Sequence, residues 1–171
     1  MLHRKINGQS ITYMDSAATS LKPQQVVDSV TSYYQNYSAN VHRGVNLLAE
    51  AADKKFTHAR EVVAEFINSN FEEVIFTSGT TDAMNMVCDL LSLDKDDEVI
   101  CSIADHHSAM LPWRKNAKVV YAGINADGSL NLEDYHRLIT DKTRLVIITQ
   151  VSNVLGVVNP IHKIIEMAHQ K

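Results

Sequence analysis

The chain of 171 residues is poor in residues that punctuate or cross-link a fold: 3 prolines, 6 glycines, 2 cysteines and 1 tryptophan. So few prolines and glycines exclude a linker-rich or fibrous protein. A hydrophobic content of 45% with 21% charged residues excludes a disordered one. Cys88 and Cys101 lie in apolar runs without metal-ligand or redox spacing, so they read as reduced core thiols of a cytoplasmic protein. Basic charge is not in excess either. The net charge is −4, and Arg4-Lys5 and Lys54-Lys55 are isolated pairs, which argues against nucleic acid as a partner. Long apolar runs are missing as well. Leu145 to Ile148, among the longest, falls far short of the ~18 residues that suggest a membrane span. Met1 to Ser10 is polar where a signal peptide would be apolar. A soluble cytoplasmic chain with no membrane contact is the expectation.

What is present is a hydrophobic period that switches repeatedly between strand and helix spacing, the pattern of an α/β fold. Ser10 to Met14 is a short strand-like opening. Pro23 can begin a helix whose stripe is Val26, Val27, Val30, Tyr33, Tyr34 and Tyr37. A longer helix is expected from about Leu47 to Ile67. From residue 73 a β-α series follows, with strands at Val74 to Phe76, Glu98 to Ile103, Val119 to Ala122 and Leu145 to Thr149. Helices are expected at Asp82 to Leu91, Ser108 to Lys115, Asn131 to Ile139, and from Pro160 to the end. Asn131 reads as a cap, with Asp134 as the acid of a capping box.

The length suits one domain, at about 150 residues per domain. Residues 1–70 read as an N-terminal arm and helices, and 71–171 as the β-α series. Such a series normally returns from each helix to another parallel strand, yet the last helix runs to Lys171. That would leave an open edge and uncovered apolar surface, so an incomplete domain is expected.

Ligands of open α/β sheets sit beyond the carboxyl ends of the strands. Three loops there draw attention. Ser78-Gly79-Thr80-Thr81 offers backbone N–H groups and hydroxyls at a helix start, where an anion is favoured by roughly 0.3–1 kcal/mol per contact. It lacks the Lys of a P-loop and the glycines of a dinucleotide fingerprint, so a plain capped helix is the competing reading. His106 and His107 are adjacent, which suits a ligand on one side better than a shared metal ion, and no metal site is expected. Asn153, in Val151 to Gly156, can offer an amide to a ligand oxygen or shape the turn. Asn40-Val41-His42-Arg43-Gly44 could set a cation against a carboxylate or be a solvated loop.

Six motifs in sequence order resemble the pyridoxal-phosphate enzymes of the class V aminotransferase superfamily, and within it the SUF-type (group II) cysteine desulfurases. They are Tyr13 to Ser20 with Lys22-Pro23, Asn40 to Val45, Phe76 to Thr81, His106-His107-Ser108, Pro112-Trp113, and Val151 to Gly156. The resemblance implies the N-terminal portion of the large domain of PLP fold type I, a mainly parallel sheet with flanking helices, truncated. It implies pyridoxal 5'-phosphate as cofactor, L-cysteine as substrate, a homodimer, and a sulfur-acceptor protein of the SUF system.

By the same resemblance, Thr80 and Thr81 would hold the cofactor phosphate. His106 would stack on its ring and be the catalytic residue, and Asn153 would hydrogen-bond its phenolic oxygen. Ala17, Ala18, His42 and Arg43 would lie near the substrate. The family's Schiff-base Lys, its pyridine-pairing Asp, its substrate-carboxylate Arg and its persulfide Cys have no counterpart among these residues. The family's covalent attachment is therefore not possible here, and the chain alone is expected to be inactive. Asp82 and Asp105 stand where the family usually has Glu, and the stretches from Trp113 to Val119 and from Thr81 to His106 are shorter than usual. Other expectations remain open: a desulfinase, a selenocysteine lyase or another class V enzyme, a non-catalytic remnant or dimerisation partner, or a small phosphate-binding module.

Overall fold

A computed structural model describes residues 4–171. The chain divides into two compact units, the first ending at Phe76 and the second being Thr77–Lys171.

The first unit begins with a hairpin of β1 (Lys5–Ile6) and β2 (Gln9–Ser10), antiparallel, with Lys5 opposite Ser10. Asn7 and Gly8 turn it with φ of 51° and 78°, the left-handed pair that a tight hairpin requires. Residues 11–14, expected as a strand, carry no ladder. Helix α1 (Gln24–Asn36) starts directly after Pro23, whose extended backbone forms its N-cap. Helix α2 (Leu47–Ile67) has the bounds its periodicity predicts. The Asn46 side chain caps it by accepting the Ala49 N–H at 2.9 Å, and Asn68 ends it in a left-handed conformation at φ 55°. Arg60 ties α2 to the following 3-10 turn Phe71–Glu73: its guanidinium lies 4.1 Å over the Phe71 ring and donates to the carbonyls of Phe71 and Val74.

Val74 to Phe76, expected as the first strand of the series, pairs with no strand among the described residues. A strand needs a neighbour to fill its ladder, and the Val74 carbonyl is taken by the Arg60 side chain instead.

In the second unit, α3 (Thr80–Leu90) leads to β3 (Glu98–Ser102), α4 (His107–Met110), a 3-10 turn Pro112–Lys115, β4 (Lys118–Ala122), α5 (Leu132–Leu138), β5 (Thr143–Val146) and α6 (Ile161–His169). The sheet is parallel with β3 central, between β4 and β5. Every residue of β3 is buried, as expected of a parallel strand covered on both faces. Its side chains alternate. Val99 and Cys101 enter a core with Cys88, Met110 and Trp113, under α3 and α4. Ile100 enters the opposite core with Tyr135, Leu130 and Ile164, under α5 and α6. Full burial of each such aliphatic chain contributes roughly 1.5–3 kcal/mol, so two cores fix the sheet from both sides.

Glu98 anchors the strand starts. Lys118 Nζ donates to one carboxylate oxygen at 2.8 Å and the Thr140 hydroxyl to the other at 3.0 Å. The Lys118 contact holds this carboxyl below the usual carboxylate range against the opposing effect of burial. Asn131 caps α5 as expected, accepting the N–H groups of Glu133 and Asp134. Asp134 does not complete a capping box. Its carboxylate accepts from Gly123 N–H at 2.9 Å and from Arg137 at 2.7 Å, which ties α5 to the end of β4. No helix among the described residues is long and apolar enough to cross a membrane.

Candidate functional site

Of the residues expected to act, His106 lies just beyond the carboxyl end of the parallel strand β3. Thr80 and Thr81 are the first residues of α3, both exposed. Gly79 precedes them at φ 147°, with open space where a Cβ would stand. That conformation suits glycine and leaves the approach to the helix start clear. The first-turn N–H groups have no carbonyl within the helix to bond. Thr77 and Asp82 close the loop from either side. The Thr77 hydroxyl donates to the Gly79 carbonyl at 3.1 Å, and the Asp82 carboxylate accepts the Ser78 N–H at 3.0 Å. The open donors of the loop are thereby narrowed to Thr80 and its successors.

His106 follows β3 and is the N-cap of α4. Its Nδ1 accepts the Ser108 N–H at 3.2 Å and lies 2.7 Å from the Ser108 hydroxyl. The His107 ring stands edge-on to it with centroids 6.4 Å apart. Thr81, Asn85, His106, Ser108 and Lys115 are among the residues lining one open groove of about 570 Å³. The structure thus brings Thr81 and His106 to a common surface.

The backbone that presents His106 is sewn into the core by a residue the sequence reading noted only as a departure. Asp105 is 5% exposed. Its carboxylate accepts the Ser102 N–H at 2.6 Å and the Thr149 hydroxyl at 2.7 Å, joining the end of β3 to the chain beyond β5. A buried carboxylate is tolerable where such donors replace water. A short polar side chain at a strand end beside the His-His pair was the available signal. Asn159 does similar work, donating to the Thr149 carbonyl at 2.8 Å and accepting the Leu130 N–H at 3.2 Å.

Asn153 is exposed at the tip of the next loop and does not line the groove. The loop is shaped by its neighbours. The Ser152 hydroxyl accepts the N–H groups of Val154 and Leu155, and Val151 bridges to Val158.

In the first unit, Ala17 and Ala18 are exposed in a turn where the Asp15 carbonyl accepts the N–H groups of Ala18 and Thr19. The Tyr13 hydroxyl closes on the carbonyls of Asp15 and Thr19. His42 stands at φ 67°, a conformation uncommon for a residue with a side chain. Asp53 of α2 holds it there, accepting from His42 N–H at 3.2 Å and lying 2.8 Å from Nδ1, while the ring packs edge-on against Phe56. Asp53 escaped the sequence reading, since the pairing spans 11 positions with no local motif. Arg43 is exposed and makes no ion pair among the described residues.

Neither cysteine is poised for chemistry. Burial pushes the Cys101 thiol up to about 12, helped by the nearby Asp105 charge, and raises that of Cys88 as well. Among the described residues no cluster of His, Cys, Asp and Glu could hold a metal ion.

The family described as Aminotransferase class-V matches residues 12–171, and the chain belongs to it. Within that class its relatives are cysteine desulfurases. A probable cysteine desulfurase of Halalkalibacterium halodurans is 41% identical over 99% of this chain and 44% of its own length. One of Streptomyces coelicolor is 40% identical over 99% of this chain and 44% of its own length. The apo structure of a cysteine desulfurase from Thermococcus onnurineus superposes with a TM-score of 0.80 at 34% identity, covering 91% of this chain and 40% of that one. The chain thus spans less than half the length of the relatives it matches, and corresponds to their N-terminal part. The parallel sheet flanked by helices agrees with the fold expected from the resemblance.

Proposed function

We propose that this chain is the N-terminal, cofactor-holding part of a SUF-type cysteine desulfurase, which takes L-cysteine to L-alanine and delivers the sulfur as persulfide for Fe–S cluster assembly. The observation that carries the reading is the meeting of Thr81 and His106 on one open groove beside the sheet, in a chain 41% identical to a probable cysteine desulfurase.

The start of α3 fits a phosphate. Gly79 leaves the approach open, and the hydroxyls of Thr80 and Thr81 are exposed beside unbonded N–H groups. Thr80 and Thr81 would bind the phosphate of pyridoxal phosphate, and His106 would stack on the ring. Asn153 would orient the ring through its phenolic oxygen. When bound, the cofactor supplies the electron sink for chemistry at the substrate carbons. Ala17, Ala18, His42 and Arg43 would serve the substrate end of a site completed in a homodimer, with Arg43 as a cation for a carboxylate. A SUF sulfur acceptor would be the downstream partner, in the cytoplasm. The lysine and cysteine that the family uses covalently have no counterpart here, so these 171 residues alone bind without turnover.

The test is an absorbance spectrum of the purified chain mixed with pyridoxal phosphate, repeated after borohydride and after gel filtration. A spectral change that disappears on the column, with no lysine fixed by borohydride, is the expected result. No change on mixing, or a band fixed onto a single lysine, would overturn the reading.

A further inference from the structure

We propose that Ser108 is a positioning residue for His106, fixing both the orientation of the imidazole and which of its nitrogens carries the proton. The inference rests on His106 being the ring that meets the cofactor, and it concerns what that ring can offer there.

Two groups of Ser108 converge on His106 Nδ1: the backbone N–H at 3.2 Å and the hydroxyl at 2.7 Å. A backbone amide can only donate, so Nδ1 must present its lone pair. The neutral ring then has its single proton on Nε2, because one nitrogen accepts and the other donates. The Ser108 hydroxyl, whose hydrogen rotates freely, donates to the same lone pair. Nε2 has no hydrogen-bond partner among the described residues. It is thereby left as a free donor beside the groove that His106 lines with Thr81 and Asn85. A ring held this way gives a hydrogen bond at Nε2 and cannot accept one there.

The geometry behind the ring leaves little freedom. His106 is the N-cap of α4, so its backbone also accepts the Ala109 N–H at 2.8 Å. Asp105, one residue earlier, is locked to Ser102 and Thr149. With the backbone fixed on one side and Nδ1 held on the other, χ rotation of the ring would break the Ser108 contacts.

The experiment is a long-range proton–nitrogen correlation spectrum of the full chain labelled with nitrogen-15 histidine, without cofactor. It is run about two pH units above the usual imidazole pKa of about 6.5. Among the 8 histidines, His106 is the signal lost in His106→Gln. The expected pattern is an unprotonated Nδ1 and a protonated Nε2. Ser108→Ala, which keeps the amide and removes the hydroxyl, should shift the tautomer ratio toward Nδ1–H by roughly three- to tenfold, the equivalent of one net hydrogen bond. Ser108→Thr should restore it. A protonated Nδ1 in the unmodified chain would overturn the proposal, and so would an unchanged ratio in folded Ser108→Ala. If Ser108→Ala does not fold, the unmodified chain still decides. Pyridoxal phosphate titration runs alongside. No binding with a confirmed Nε2–H sinks the cofactor reading and leaves the tautomer assignment standing.

Discussion

The two compact units of this chain are built on different terms. In the second, a central strand buried along its whole length separates two cores, and the large side chains Trp113, Tyr135, Ile100 and Ile164 are at most 1% exposed. In the first, the buried residues among those described are Ala49, Ala52, Ala64 and Val74, and α1 buries none. Several of its larger apolar side chains are exposed, Tyr34 at 71% and Phe66 at 87%, while Phe56 and Val63 are half-buried. Helical periodicity, caps and the Arg60 staple specify the first unit locally. Long-range packing specifies the second. Most helical stability in proteins comes from a packed apolar face, so a helix pair with its stripe exposed is the weaker structure.

That contrast can be broken by substitution, and the chain has its own reporter. Its 1 tryptophan, Trp113, is in the second unit, so fluorescence follows that unit while far-ultraviolet dichroism follows both. The largest effect is expected from Trp113→Ala, which removes the biggest side chain of one core and should destabilise the second unit by about 3–5 kcal/mol, read by dichroism in urea. A single dichroism transition at a lowered urea concentration, in place of one shifted and one unshifted step, would show that the units do not unfold on separate terms. Asp105→Ala comes next. It leaves the Ser102 N–H buried without a partner and should lower the stability read by fluorescence in urea by about 1–3 kcal/mol.

Asn46→Ala removes the cap of α2 and should cost about 1 kcal/mol, visible in dichroism with little change in fluorescence. A matching shift in fluorescence would break the comparison from the other side. Phe66→Ser should stay within about 0.5 kcal/mol, because the ring is already in water. A loss of 2 kcal/mol or more would mean that this face is covered in solution.

Much of the architecture was legible in the sequence. The period of α2 gave both ends of that helix, since Asn46 and Asn68 mark them chemically. The three paired strands fell where short apolar runs met turn residues, although β5 starts two residues before its apolar run and ends three before the run does. Val74 to Phe76 misled because its apolar run is real and only its partner is missing. Asn7-Gly8 was a usable hairpin signal that passed unread. The motifs at Thr80-Thr81 and His106 were legible in the sequence, whereas Asn153, read with them, does not line the groove. The groove that joins Thr81 to His106 was not legible, and neither was the support that Asp105, Ser108 and Asp53 give.

The sequence by itself determined most element types and the loops where polar side chains collect, because periodicity, caps and turn residues act over a few positions, and its six motifs carried the resemblance to the family. Only the tertiary structure decided which carboxylate meets which hydroxyl, as Asp105 meets Thr149 across 44 positions. Those choices depend on where separate strands end in space, and no local pattern carries that distance.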